Sequence, residues 1–310
     1  MGQLIKLENY ISRYERDIFH YPGHYMRLKQ ENWKQLFAMW EDQREQLSLE
    51  APSDDQPKQE RFYNKWRRLF NRQSAEEAYE HQNQNENNHI PTTEAQLKQY
   101  FLDSLFPFQL NWASTTLSEM SFLDRDYQDD LTLKYFLQRF SDTFLFMYRP
   151  VFKLKNTTVD ADIIMLTPVG IEVIKVVERP SEQSIIVGDD RTWYTEENNV
   201  RTKFLSPVIT LNRTEKIVKS ILNHNKLEMP ITKVILSRTN QISFHLEPFS
   251  TRYIGKEQHE NWLQNHRRLV SPLKHLQLKV AEALLLYSET VAVNRPEWED
   301  PEETDGFVFE

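Results

Sequence analysis

Between Val159 and Glu178 the alternation of apolar and polar residues has a period of two, in the run VDADIIMLTPVGIEVIKVVE. Successive strand side chains point to opposite faces, so this pattern predicts two β-strands joined by a turn at Thr167-Pro168-Val169-Gly170. On the first strand Asp160, Asp162, Ile164 and Leu166 are expected to share a face. On the second, Ile171, Val173, Lys175 and Val177 share one face and Glu172, Ile174, Val176 and Glu178 the other. Two carboxylates and a lysine among Val, Ile, Leu and Met are costly to bury unless they are paired. This hairpin is therefore where chemistry is expected.

Elsewhere the period is mostly helical. Leu4, Leu7, Ile11, Tyr14 and Ile18 recur at helical spacing, Pro22-Gly23 breaks the run, and Leu28, Trp33, Leu36, Phe37, Trp40 and Leu47 continue it. A helix over Lys58–Arg72 interleaves Lys58, Arg61, Lys65, Arg67, Arg68 and Arg72 with aromatic residues, a basic face suited to phosphates or an acidic partner. Residues 73–93, with QNQNENN at their centre, are too polar to offset their ordering entropy and read as a flexible linker. Helices are expected over Glu94–Phe106, stopping near Pro107, and over Leu131–Phe140. Thr143–Leu154 reads as a buried strand or hairpin, Ser184–Val187 as an edge strand and Pro207–Leu211 as a short strand. Asn212 to Glu215 has the capping-box pattern that would open the next helix. Ile231–Leu236 and Ile242–Leu246 read as strands, and Glu257–Leu269 and Pro272–Val293 as helices. The resulting domain expectation is a helical module over 1–72, the linker 73–93, an α/β domain over 94–247, C-terminal helices over 248–296 and an acidic tail over 297–310.

Composition narrows the chemistry. The chain has no cysteine, which removes disulfides, thiolate metal sites and cysteine nucleophiles. Its six glycines are scattered, so no Gly-rich phosphate loop, dinucleotide fingerprint or nucleophile elbow is present. His20 and His24 are four apart, but Pro22 and Gly23 between them are expected to rule out a helical ligand pair, and the histidines read as surface or capping residues. A net charge of −8 argues against coating nucleic acid over the whole surface, while a local basic patch stays open. No membrane-spanning stretch or signal core is seen, so a soluble cytoplasmic protein is expected.

Asp160-Ala161-Asp162, the turn Pro168-Val169-Gly170, Trp193 and the Leu205-Ser206-Pro207 entry to a helix together resemble the nuclease-related domain (NERD), a bacterial relative of the PD-(D/E)XK nucleases. The resemblance covers about residues 144 to 247 and implies a restriction-endonuclease-like mixed sheet with flanking helices, extended here by helices at both ends. It also implies a Mg²⁺ or Mn²⁺ site on carboxylates from two adjacent strands, with a lysine stabilising charge. The chain departs from that pattern where the family has Glu-x-Lys: Lys175 stands at the glutamate and Val177 at the lysine. The expected site is thus a degenerate one of Asp160, Asp162 and Lys175, with no cofactor. The leading function is a nuclease-derived protein without catalysis that binds nucleic acid or a protein partner. One alternative is an active metal-dependent nuclease, with Asp160 and Asp162 as ligands and with Glu172, Glu178, Lys153 or Lys155 completing a rearranged site. The other is a scaffold that recruits partners through the helical N-terminal region.

Overall fold

The computed structural model describes residues 1–49, 91–155 and 157–295. In chain order these form β1 (Gln3–Leu7), α1 (Arg13–Arg16), α2 (Tyr21–Leu49), α3 (Glu94–Trp112), β2 (Glu119–Met120), α4 (Leu131–Arg139), β3 (Leu145–Tyr148), β4 (Val151–Leu154) and β5 (Thr157–Asp160). They continue as β6 (Ile163–Leu166), β7 (Ile171–Val176), β8 (Ser184–Ile186), β9 (Thr192–Glu197), β10 (Val200–Leu205) and α5 (Val208–His224). The last elements are β11 (Ile231–Leu236), β12 (Ile242–Ser243), β13 (Thr251–Ile254), α6 (Lys256–Arg267), α7 (His275–Leu286) and β14 (Val293–Asn294). The described residues pack as two units, one of residues 1–21 with 109–295 and one of residues 22–49 with 91–108. The basic stretch Lys58–Arg72, nearly all of the 73–93 linker and the acidic tail lie outside the described residues.

The first unit is built on a six-stranded sheet in the order β1-β3-β6-β7-β11-β13. β1 runs parallel to β3, and β7, β11 and β13 are mutually parallel, while β6 is antiparallel to both its neighbours. Five strands therefore point the same way, and their C-terminal ends share one edge with the start of β6. This is the mixed sheet with flanking helices expected of a restriction-endonuclease-like fold. A second sheet, β10-β9-β8-β12, continues from the same unit. Between them Val173, Val177, Ile185, Trp193, Leu211, Ile235, Ile242 and Tyr253 form a buried cluster. Trp193, only 1% exposed, anchors it.

The 167–170 turn joins β6 to β7 as expected, with the Thr167 hydroxyl bonded to the backbone at Val169 and Gly170. Several other expectations are corrected. Residues 3–7 are a strand of the central sheet, not a helix: Gln3 to Leu7 are all buried, and a one-sided amphipathic helix would not bury every position. Pro22-Gly23 does not break a helix but lies in the first turn of α2, where the missing N–H of proline costs nothing. Pro107 likewise sits inside α3, which runs on to bury Leu110 and Trp112. Ser184–Ile186 is an interior strand between β9 and β12, not an edge. Residues 208–211 are the first turn of α5, capped at Pro207 without a side-chain bond, so Asn212 is interior and caps nothing. Its side chain instead accepts from Lys233, and Glu215 pairs with Lys219 and Lys233. The 242–246 strand is confined to Ile242 and Ser243.

Candidate functional site

The shared edge of strand ends opens into a cleft of about 680 Å³. Open α/β sheets bind ligands outside the carboxyl ends of their parallel strands. Here the end of β1 supplies Glu8, the end of β3 supplies Arg149 and the end of β7 supplies Lys175 and Glu178. The start of β6 brings Asp162, β5 brings Asp160, and the first turns of α5 bring Arg213.

Asp160 and Asp162 do not share one strand as the alternation predicted. β5 ends at Asp160 and pairs with β4, the Ala161 N–H turns back to bond the Pro150 carbonyl, and β6 begins at Ile163. Asp162 stands in this crossing, only 6% exposed. Its N–H donates to the Thr214 hydroxyl at 3.0 Å, and that hydroxyl is 3.4 Å from the Asp162 Oδ2. Lys175 Nζ donates to Asp162 Oδ1 at 2.8 Å. The carboxylate is buried while the lysine stays 39% exposed, so the pair spans the floor of the cleft and its solvent side. Arg213 donates to the carbonyl oxygen of Asp160, not to its carboxylate, at 2.9 Å.

The rescue residues separate. Glu172 lies on the opposite face of β7, bonded to His266 of α6 at 3.0 Å, and does not line the cleft. Lys155 is in the turn at the tip of the β4–β5 ribbon, with a φ of 38°. Lys153 sits on the ribbon, and neither it nor Lys155 lines the cleft. Glu178 does reach the cleft edge, but both its oxygens are taken by the Arg238 fork, at 2.5 and 2.8 Å. That hydrogen-bonded fork holds the Glu178 carboxyl below the ordinary glutamate range. Arg238 also lies 4.7 Å over the ring of Tyr135, whose hydroxyl meets His259 Nε2 at 2.6 Å.

A divalent cation would need several free oxygens converging on one point. One oxygen of Asp162 is held by an ammonium, and Glu178 is held by a guanidinium. Among the described residues no group of three or more histidines and carboxylates is arranged to hold a metal ion. Val177, at the position where the resemblance led a lysine to be expected, is 9% exposed and packed in the Trp193 cluster. The residues present therefore do not fit the metal that the family pattern implies.

Sequence reasoning missed Glu8, Arg149, Arg213, Thr214 and Arg238. Arg213 and Thr214 were in view, but as parts of a helix cap. His266, expected at the surface, is buried against Phe140, Phe144 and Trp262. No periodic signal marks Glu8 or Arg149, because what distinguishes them is backbone conformation: each follows a strand with positive φ, 42° and 50°.

Comparison with known proteins adds three findings. Residues 127–238 match the family model described as the nuclease-related domain. A protein of Geobacillus stearothermophilus named RNA 2′,3′-cyclic phosphodiesterase is 38% identical over 117 residues, covering 35% of this chain and 36% of that protein's own length. No solved structure matches.

Proposed function

From a chain that carries a nuclease-related domain over residues 127–238, we propose a nuclease-derived protein that binds nucleic acid in its strand-end cleft without metal-dependent cleavage. One observation carries the reading: the ammonium of Lys175 lies 2.8 Å from the buried carboxylate that the family pattern would use for metal. A lysine here supplies in permanent form the positive charge that a metal would bring, but it has no open coordination position and cannot activate a water by ligation. The Val177 side chain supports the same reading, because the position where the resemblance would put the lysine belongs to the core. Two cleft guanidiniums, Arg149 and Arg213, have no carboxylate partner among the described residues, and such groups suit phosphate. The name of the Geobacillus relative, which refers to RNA, agrees with a nucleic-acid ligand.

The test pairs cleavage with calorimetry. Plasmid, single-stranded DNA and RNA are incubated with the wild-type protein and with Asp162→Ala, in Mg²⁺ and in Mn²⁺, and each metal is titrated into both proteins. Intact substrates and no metal-binding heat removed by Asp162→Ala are expected. Cleavage that the substitution abolishes would overturn the proposal.

A further inference from the structure

The cleft lining sets a carboxylate beside guanidinium groups, and that combination points to a particular sugar. Glu8 and Arg149 follow β1 and β3, which pair so that Leu7 lies beside Tyr148. Both residues adopt positive φ, a conformation that disfavours side chains with a Cβ and that clusters at ligand-binding positions. The turn is fixed by backbone bonds, from Glu8 N–H to the Tyr148 carbonyl at 3.0 Å and from Val151 N–H to the Glu8 carbonyl at 3.5 Å. Burial, and after it the neighbouring Glu8 carboxylate, hold the Tyr127 hydroxyl above its ordinary range. The Arg149 guanidinium rests 5.0 Å over the Tyr148 ring, which orients its face and leaves its N–H fork free to meet an anion. Across the cleft Arg213 spends one of its donors on the Asp160 carbonyl and keeps the rest.

A site that only held phosphates would gain nothing from a fixed carboxylate, which repels them. The carboxylate becomes favourable if the ligand also presents a hydroxyl donor beside its phosphate. In a nucleic-acid backbone that donor is the ribose 2′-hydroxyl, present in RNA and absent from DNA. We propose that the cleft selects single-stranded RNA, with Arg149 and Arg213 holding a backbone phosphate and Glu8 accepting a hydrogen bond from a neighbouring 2′-hydroxyl. Glu8 lies far outside the matched segment 127–238, so this selectivity would be a property of the whole sheet. A single strand is favoured over a duplex because the groups lie within a walled cleft of about 680 Å³, on the scale of a nucleotide-sized ligand. The inference rests on the proposal that the cleft binds nucleic acid.

The test measures binding of one labelled oligonucleotide sequence as RNA, as DNA and as 2′-O-methyl RNA. It uses the full chain as wild type, Glu8→Asn, Arg149→Asn and Arg213→Ala. Asparagine tolerates positive φ, so it shortens the side chain without disturbing the turn; equal urea midpoints confirm that each variant is folded. The wild type is expected to prefer RNA over both other forms by roughly tenfold, the weight of one hydrogen bond to a charged group. Glu8→Asn is expected to abolish that preference without lowering DNA affinity, which rises if anything because a charge that repels phosphate is gone. Each arginine variant is expected to weaken all three ligands. Equal RNA and DNA affinity, with the arginine effects intact, would sink the sugar selection and leave the nucleic-acid reading standing. Binding that ignores all three substitutions would remove the cleft as the binding site. No binding to any oligonucleotide would reject the underlying function itself.

Discussion

Replacing Lys175 by methionine removes an ammonium from the cleft floor while keeping most of the apolar stem. At 2.8 Å and an effective dielectric near 20, the gross attraction to Asp162 is about 6 kcal/mol. Most of that is offset by the desolvation of the buried carboxylate, and the lysine remains 39% exposed and screened. What the substitution costs is an unsatisfied buried charge, eased by the Thr214 hydroxyl that remains beside it. A loss of about 2 kcal/mol is therefore expected. Asp162→Asn removes the charge from the other side and should cost about 1 kcal/mol. If the two groups act mainly through each other, the double variant should lose about 1 kcal/mol, leaving a coupling of about 2 kcal/mol. Urea unfolding of the four proteins at constant slope gives these differences. Strictly additive losses, or a loss below about 0.5 kcal/mol for Lys175→Met, would refute the assignment of Lys175 as the internal counter-ion of Asp162.

Three further outcomes follow from other parts of the molecule. Restoring the family's lysine by Val177→Lys should fail as a rescue, because the position is 9% exposed among Val173, Ile185, Trp193 and Leu211; a cost of about 3 kcal/mol or more is expected in urea, and a stable variant that gains metal binding would contradict this. For His266, burial alone would lower the pKa, but the hydrogen bond and charge of Glu172 outweigh it and the folded-state value lies above the ordinary one. Its stabilising contribution is then complete below the unfolded value near 6.5 and is lost as pH rises through the folded value; Glu172→Gln should flatten this part of the pH profile, and an unchanged profile would remove the pair as its source. If the Lys58–Arg72 stretch also contacts duplex phosphates, Arg67→Ala/Arg68→Ala should reduce the slope of log affinity against log salt by about 1.8 in a gel shift, whereas an unchanged slope would confine binding to the cleft.

The alternating run around Pro168-Val169-Gly170 determined β6, β7 and their turn, because strand period and turn chemistry are local properties. The same run carried the family resemblance, and the pairing of Lys175 with a carboxylate followed from the cost of burying both charges. Helical periodicity likewise located α4 and α6 to within a few residues, while α7 stops at Leu286, seven residues before the expected Val293, which lies in β14. Only the tertiary structure decided that Gln3–Leu7 is a strand, since all five of its residues, apolar and polar alike, are buried, and the strand is bonded to segments more than a hundred residues away, as Leu4 N–H is to Gln109. It also separated Asp160 from Asp162, since the break between β5 and β6 is set by the Ala161 bond to Pro150 rather than by residue type. Glu172 and Glu178 have the same charge and the same parity along the chain, yet one meets His266 and the other Arg238. Their fates depend on what packs against each end of β7. The cleft itself is assembled from six separate segments between Glu8 and Arg213, and no local pattern encodes the meeting of strand ends that are brought together only by the order of the sheet.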